Sequence, residues 1–275
     1  MNAIQANLLE FIKRSPQFVI PIYQRSYSWT RKECKQLWDD IVRTGRNDEV
    51  KAHFIGSIVY IKEGIYQVSS QSPILVIDGQ QRLTTISLLI AALATKLENL
   101  PNDQQEIIKG FSPRKLRNYY LRNPEEDGEK YFKLILSKTD KDTMLAIVNE
   151  TETPSNHSIK VRDNFDYFNY LIEEHVNDLG TICRGIEKLI IVDVALSNDQ
   201  DNPQLIFESM NSTGKELTQA DLIRNYILMS LDIKKQTFLY ENYWRPMEVD
   251  FGQKAYDLMV LCGTILRLSR VKFLE

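Results

Sequence analysis

An aliphatic run from Ile74 to Ile77 stops on Asp78-Gly79-Gln80-Gln81-Arg82, then apolar residues resume with a different rhythm. The run is short and rich in β-branched residues, which predicts a buried strand. Beyond it, Leu83, Ile86, Ile90, Leu93 and Leu97 recur at spacings of three and four, which predicts an amphipathic helix. The polar residues between are a tight strand-to-helix turn. Such a turn presents backbone N–H groups at the positive end of the helix dipole, a natural seat for an anion.

The same patterning organises the rest of the chain. Ile4, Leu8, Phe11 and Ile12 predict a short first helix. "FVIPIYQRSYSW" is extended and aromatic. Thr30 and Glu33 form a capping box that opens a helix with a stripe of Cys34, Leu37, Trp38 and Ile41, ended by Gly45. "HFIGSIVYI" and "YQVSSQSPILVI" predict neighbouring strands. "LPNDQQ" reads as a boundary, giving an α/β unit over residues 1–100 and a mainly helical region over 101–275. Beyond it, "KYFKLIL" and "KLIIVDVAL" are strand-like, and helices are expected over about 141–148 and 161–175. The fold class expected is α+β.

Composition narrows the function classes. A net charge of −3 gives no global basic field, though a local basic face remains compatible with it. Three scattered cysteines, Cys34, Cys183 and Cys262, suit reduced thiols better than a disulfide framework or a CxxC metal site. No signal peptide and no apolar run near the ~20 residues of a bilayer span is present. A cytoplasmic protein is expected. The P-loop, GxSxG and HExxH patterns are absent. His53, His157 and His175 have no metal-ligand spacing, and His53 reads as structural.

Three constellations carry candidate chemistry. In the first, Gly79 permits the turn, the N–H groups after it can hold phosphate, and Arg82 offers a forked donor. Asp78 can hold a metal ion or orient water, and Thr84 and Thr85 sit on the first helical turn. The same residues also fit a plain helix start, with Asp78 set against the dipole and Arg82 paired at the surface. In the second, Tyr23, Tyr27 and Trp29 alternate along an extended run beside Gln24 and Arg25, an arrangement suited to stacking on a base and gripping a phosphate. Trp29 reads better as core. In the third, Asn211, Ser212, Thr213, Gly214 and Lys215 form a polar loop suited to a base, ribose or phosphate. Asp221 and Arg224, three apart, are placed to pair with each other.

Four segments occur together: "IPIYQRSYSW", "HFIGSIV", "VIDGQQRLTT" and "FESMNSTGKELTQADLIRNYIL". In this order they resemble the N-terminal domain of GmrSD-type, modification-dependent restriction proteins, a group that includes the phosphorothioate-sensing Ssp effector. The resemblance covers about residues 5–245. It implies a ParB/sulfiredoxin-like fold and hydrolysis of a nucleoside triphosphate, GTP prominently, with Mg²⁺. It places that site on Asp78, Gly79, Gln80, Gln81 and Arg82, with Gln81 a second water-orienting residue, Thr84 and Thr85 beside it, and loop 211–215 closing over the nucleotide. The IPxYQR element falls on Pro21, Tyr23, Gln24 and Arg25, which with Tyr27 would touch DNA, a modified duplex being expected. The NxxG and DLIRN elements fall on Asn211, Gly214, Asp221, Arg224 and Asn225. The chain shows no His-Asn-His nuclease cluster, so a separate or missing nuclease partner is expected. Two other classes stay open: a modified-DNA-binding module without catalysis, and an assembly module that forms homo-oligomers through the helical part.

Overall fold

A computed structural model describes residues 1–62, 73–196, 206, 218–229, 231 and 233–250. The chain divides into two compact units. Unit 1 comprises Met1–Pro21 and Ser26–Asp201; unit 2 comprises Ile22–Arg25 and Asn202–Glu275. The class is α+β.

Unit 1 is built on a six-stranded mixed sheet in the order β1-β6-β3-β4-β2-β5. The strands are β1 (Asn2–Asn7), β2 (Phe18–Val19), β3 (His53–Lys62), β4 (Ile74–Asp78), β5 (Leu134–Ile135) and β6 (Leu189–Leu196). β3 and β4 are neighbours, as the sequence implies, and pair antiparallel. β6 inserts between β1 and β3, antiparallel to the first and parallel to the second. The boundary expected near residue 100 therefore falls inside unit 1, because β5 and β6 lie beyond it and complete the same sheet. "KLIIVDVAL" reads as a strand, but its place between β1 and β3 rests on pairings across the whole unit.

Seven α-helices of unit 1 are α1 (Leu8–Arg14), α2 (Arg31–Arg46), α3 (Gln80–Glu98), α4 (Pro113–Leu116), α5 (Lys138–Asn149), α6 (Ile159–Glu174) and α7 (Leu179–Glu187). The first helix starts later than expected. Ile4 belongs to β1, and Asn7 caps α1 by accepting from the Glu10 N–H. The Thr30–Glu33 capping box opens α2 as the sequence implies. Gly45 does not end α2. It lies inside the helix because a Cβ there would stand 2.0 Å from the Thr181 carbonyl oxygen of α7. α3 is buried on nearly every side, and its apolar residues join the core formed by α2, α6, α7 and the sheet.

One buried cation closes the C-terminal end of α1. Lys133 is 6% exposed, and its Nζ donates to the carbonyls of Lys13 (3.1 Å) and Ser15 (2.5 Å). Burial pushes its ammonium down to about 8 from an ordinary 10.5. Above pH 8 the native state sheds this proton while the unfolded chain keeps it, so this group adds stability as pH rises toward 10.5. Measured against Lys133→Met, the wild-type unfolding free energy should gain about 1 kcal/mol between pH 8 and 9. Chemical denaturation at a series of pH values reads this difference. Equal slopes for the two proteins would sink it. The raised thiols of Cys34 and Cys183 and the raised tyrosines act in both proteins and cancel.

Unit 2 contains α8 (Gln219–Met229) and α9 (Ile233–Leu239). Its described core is Tyr23, Ala220, Leu228, Tyr240 and Trp244. Arg224 is 4% exposed and ties the unit together. It pairs with Asp221 at 2.5 Å and Glu248 at 2.6 Å, and its Nε donates to the Tyr23 carbonyl at 2.6 Å. Thr218 and Asp221 cap α8 reciprocally.

Candidate functional site

β4 hands over to α3 at Gly79, as the sequence implies. Gly79 has φ 98°, the left-handed region that other residues rarely adopt. A Cβ there would also stand 2.9 Å from the Ser57 carbonyl oxygen of β3. No side chain caps α3, and its first turn carries no acidic residue. Gly79, the N-cap residue, brings no side-chain acceptor to the first turn of this 19-residue helix.

Arg82 stands beside this end. Its Nη1 donates to the Ser57 carbonyl at 2.8 Å and lies 3.9 Å from Asp78 Oδ2. Both side chains remain about a quarter exposed, 28% for Arg82 and 24% for Asp78. A cation and a carboxylate therefore flank the glycine-capped helix end, each within reach of solvent.

Gly56 was not marked by sequence reasoning and proves to shape this arrangement. Its φ is +112°, and a Cβ would meet the Cζ and Nε of Arg82 at 2.7 Å. The β3–β6 register shifts between Phe54 and Ser57, so Gly56 sits in a bulge. The guanidinium lies in the space that a side chain would fill. A glycine inside an otherwise β-branched strand was the available signal. Gly56→Ala should displace Arg82 and, if the turn hydrolyses triphosphate, slow it by about tenfold to a hundredfold with folding retained. Steady-state phosphate release beside a thermal melt checks this. An unchanged rate would count against it.

The structure corrects the expectations for six residues. Gln81 is 8% exposed and turns inward. Its Oε1 accepts from the N–H groups of Ser28 (2.8 Å) and Trp29 (3.2 Å). Both lone pairs are engaged, so Gln81 braces the 26–29 segment and is not placed to orient water. Thr84 and Thr85 are 1% and 0% exposed, and their hydroxyls donate to the carbonyls of Gln80 and Gln81 one turn back. They face the core, not the anion seat.

Tyr27 is also core. Its hydroxyl meets Thr85 Oγ1 at 2.7 Å and accepts from Asn164 Nδ2 at 3.0 Å, and its N–H donates to Asp140 at 2.6 Å. Burial pushes the Tyr27 hydroxyl well above its usual pKa and raises the Asp140 carboxyl. Tyr23 and Gln24 are 3% and 2% exposed within unit 2, and Pro21 is buried in unit 1. Tyr23, Tyr27 and Gln24 thus do not offer a surface to DNA; of that motif, Arg25 keeps partial exposure. Trp29 packs against the core, as its reading from sequence had it.

Gln80 is partly exposed at the glycine-capped helix end. Asn211, Ser212, Thr213, Gly214 and Lys215 lie outside the described residues. His53 pairs with Asp40 at 3.5 Å, in keeping with a structural role.

A family model described as GmrSD restriction endonuclease, N-terminal domain, matches residues 6–228. The chain belongs to this family. Membership makes it a domain of a DNA restriction system, the class of anti-phage defence. In this GmrSD N-terminal domain the match takes in the whole β3–β4–α3 site and all of α8 but its last residue. Among curated proteins, none matches the chain. Among the described residues no helix is long and apolar enough to cross a membrane, and no three His, Cys, Asp or Glu side chains cluster to hold a metal ion.

Proposed function

We propose that this GmrSD N-terminal domain binds and hydrolyses a nucleoside triphosphate, with GTP the first candidate, and that this gates a nuclease partner of the His-Asn-His type. The observation that carries the reading is the glycine-capped start of α3, flanked by Arg82 in its Gly56 seat and by Asp78. Phosphate oxygens take the first-turn N–H groups at Gln80, Gln81 and Arg82. Arg82 turns its fork toward the phosphate and neutralises charge as the bond to the leaving group breaks. Asp78 orients the attacking water.

A lone carboxylate at the turn fits Mg²⁺ that arrives with the triphosphate, since Mg²⁺ is ordinarily held by one or two carboxylates together with phosphate oxygens and water. Asp78 would be its protein ligand, and the ion would supply charge neutralisation.

The test is phosphate release from GTP, ATP, CTP and UTP with Mg²⁺, for wild type and Asp78→Ala. Release by wild type that is lost in the variant supports the reading. A second reading, a modified-DNA reader without catalysis, is favoured by the engagement of Gln81 with Ser28 and Trp29. That leaves Asp78 to orient water without its help. No release from any triphosphate, with DNA present or absent, would select this second reading.

A further inference from the structure

The burial of Tyr23 and Tyr27 removes the aromatic surface expected to meet nucleic acid, and unit 1 offers another. The exposed face of α2 borders a shallow groove of about 650 Å³, lined by Arg31, Lys32, Lys35 and Arg43 together with Asp39, Asp40 and Tyr167 of α6. Four cations face two carboxylates there, in a chain whose net charge is −3. Lys35 pairs with Asp39 at 2.6 Å and Arg43 with Asp40 at 2.5 Å. The cations of both pairs are well exposed, 58% and 69%. Such surface pairs contribute about 0–1 kcal/mol, so a phosphate can compete for their cations.

The groove also has an aromatic edge. The Arg31 guanidinium lies 5.6 Å over the Tyr167 ring. Tyr167 and Tyr170 stack at 18°, with centroids 6.5 Å apart, and Tyr170 is 58% exposed. Arg31, Lys35 and Arg43 fall within a sector of about 120° round the helix, over about 18 Å of its axis. At the duplex rise of about 3.4 Å that length would take about five nucleotides, and an extended single strand covers it with fewer. Cations in a row beside flat rings are the elements by which proteins track single-stranded nucleic acid, the cations on phosphates and the rings under bases. An acidic peptide would use the cations and leave the tyrosines idle.

We infer that the α2–α6 groove binds a single-stranded segment of nucleic acid, with phosphates on Arg31, Lys32, Lys35 and Arg43 and a base against the Tyr167–Tyr170 pair. The inference rests on the second reading above, that of a DNA reader, and names a surface for it. It does not involve the Asp78–Arg82 turn, so hydrolysis and strand binding succeed or fail separately.

The experiment is fluorescence anisotropy of the full chain with a labelled single strand of 20 nucleotides, and with the same sequence as duplex, across a salt series. Wild type should bind the single strand with log K falling against log salt at a slope of about −2 to −3. Arg31→Glu with Lys32→Glu should weaken binding at least tenfold and shrink the slope by about 1.4. Acidic residues in the first turn of a helix are favourable, so this pair should fold. Tyr167→Ala should lose at least fivefold, and Tyr167→Phe should bind as wild type. Lys109→Glu with Arg114→Glu makes the same charge change on another exposed segment and should cost less than the α2 pair. The inference is overturned if wild type binds no strand, if the α2 pair binds as wild type, if the control pair loses as much, or if duplex is preferred with Tyr167→Ala unaffected. Wild type that binds strand but hydrolyses no triphosphate would remove the hydrolysis reading and leave this one standing.

Discussion

Under the proposed function, Arg82→Ala should slow triphosphate hydrolysis by about 10²–10³-fold, the usual cost of removing one charge-stabilising donor from such a site. The reason lies in where its guanidinium is held. It rests against Gly56 and donates to the Ser57 carbonyl, beside the donors at the start of α3. A fork held there meets phosphate oxygens at little further ordering cost. Arg82→Lys keeps the charge but loses the planar fork, so it should recover only part of the rate. Steady-state phosphate release decides the matter. A wild-type rate in Arg82→Ala would remove Arg82 from the chemistry, and loss in Asp78→Ala alone would move the reaction to the carboxylate.

Gly185→Ala should destabilise the fold by about 3 kcal/mol, near the upper end of ordinary overpacking. α7 crosses α2 so closely that backbone touches backbone. A Cβ at Gly185 would stand 2.1 Å from the Ile41 carbonyl oxygen, and one at Gly45 would stand 2.0 Å from that of Thr181. Neither obstacle is a flexible side-chain end, so the helices must part and the buried stripe of Cys34, Leu37, Trp38 and Ile41 must follow. For a unit of this size the loss corresponds to a fall of about 6–12 °C in Tm. Gly180→Ala, on the same helix, meets nothing closer than 3.4 Å and should shift Tm little. Differential scanning calorimetry of the two variants tests the contrast. Equal melting temperatures would show that the crossing can open at no cost.

Much of the candidate site was legible before any fold was known. The β4–turn–α3 handover shows in the change of period at Asp78, and the left-handed Gly79 follows from the tightness of that turn. The direction in which its neighbours point was not legible. Gln81 and Arg82 are adjacent in sequence, yet one turns in to hold Ser28 and Trp29 and the other turns out to rest on Gly56. Successive helical residues sit about 100° apart, and only the packing of the helix decides which sector meets solvent. The alternation of Tyr23, Tyr27 and Trp29 shows that they share a face of an extended run. It carries no information on whether that face is wet.

What the sequence determined by itself is local. The Thr30–Glu33 box, the start of α3, the β3 and β4 strands and the Asp221–Arg224 pair each depend on residues within a few positions of one another. Their energetics are those of a single turn or strand. Tertiary structure decided the rest, because the partners are far apart along the chain. Tyr27 became core through Asn164, 137 positions away, and Arg82 found its seat at a strand bulge 26 positions earlier. β6 joined residues 189–196 to the first strand and drew the expected boundary near 100 into the middle of unit 1. Burial is a property of the assembled core, so the aromatics set for DNA were spent on packing, and the basic face of α2 was left to the solvent.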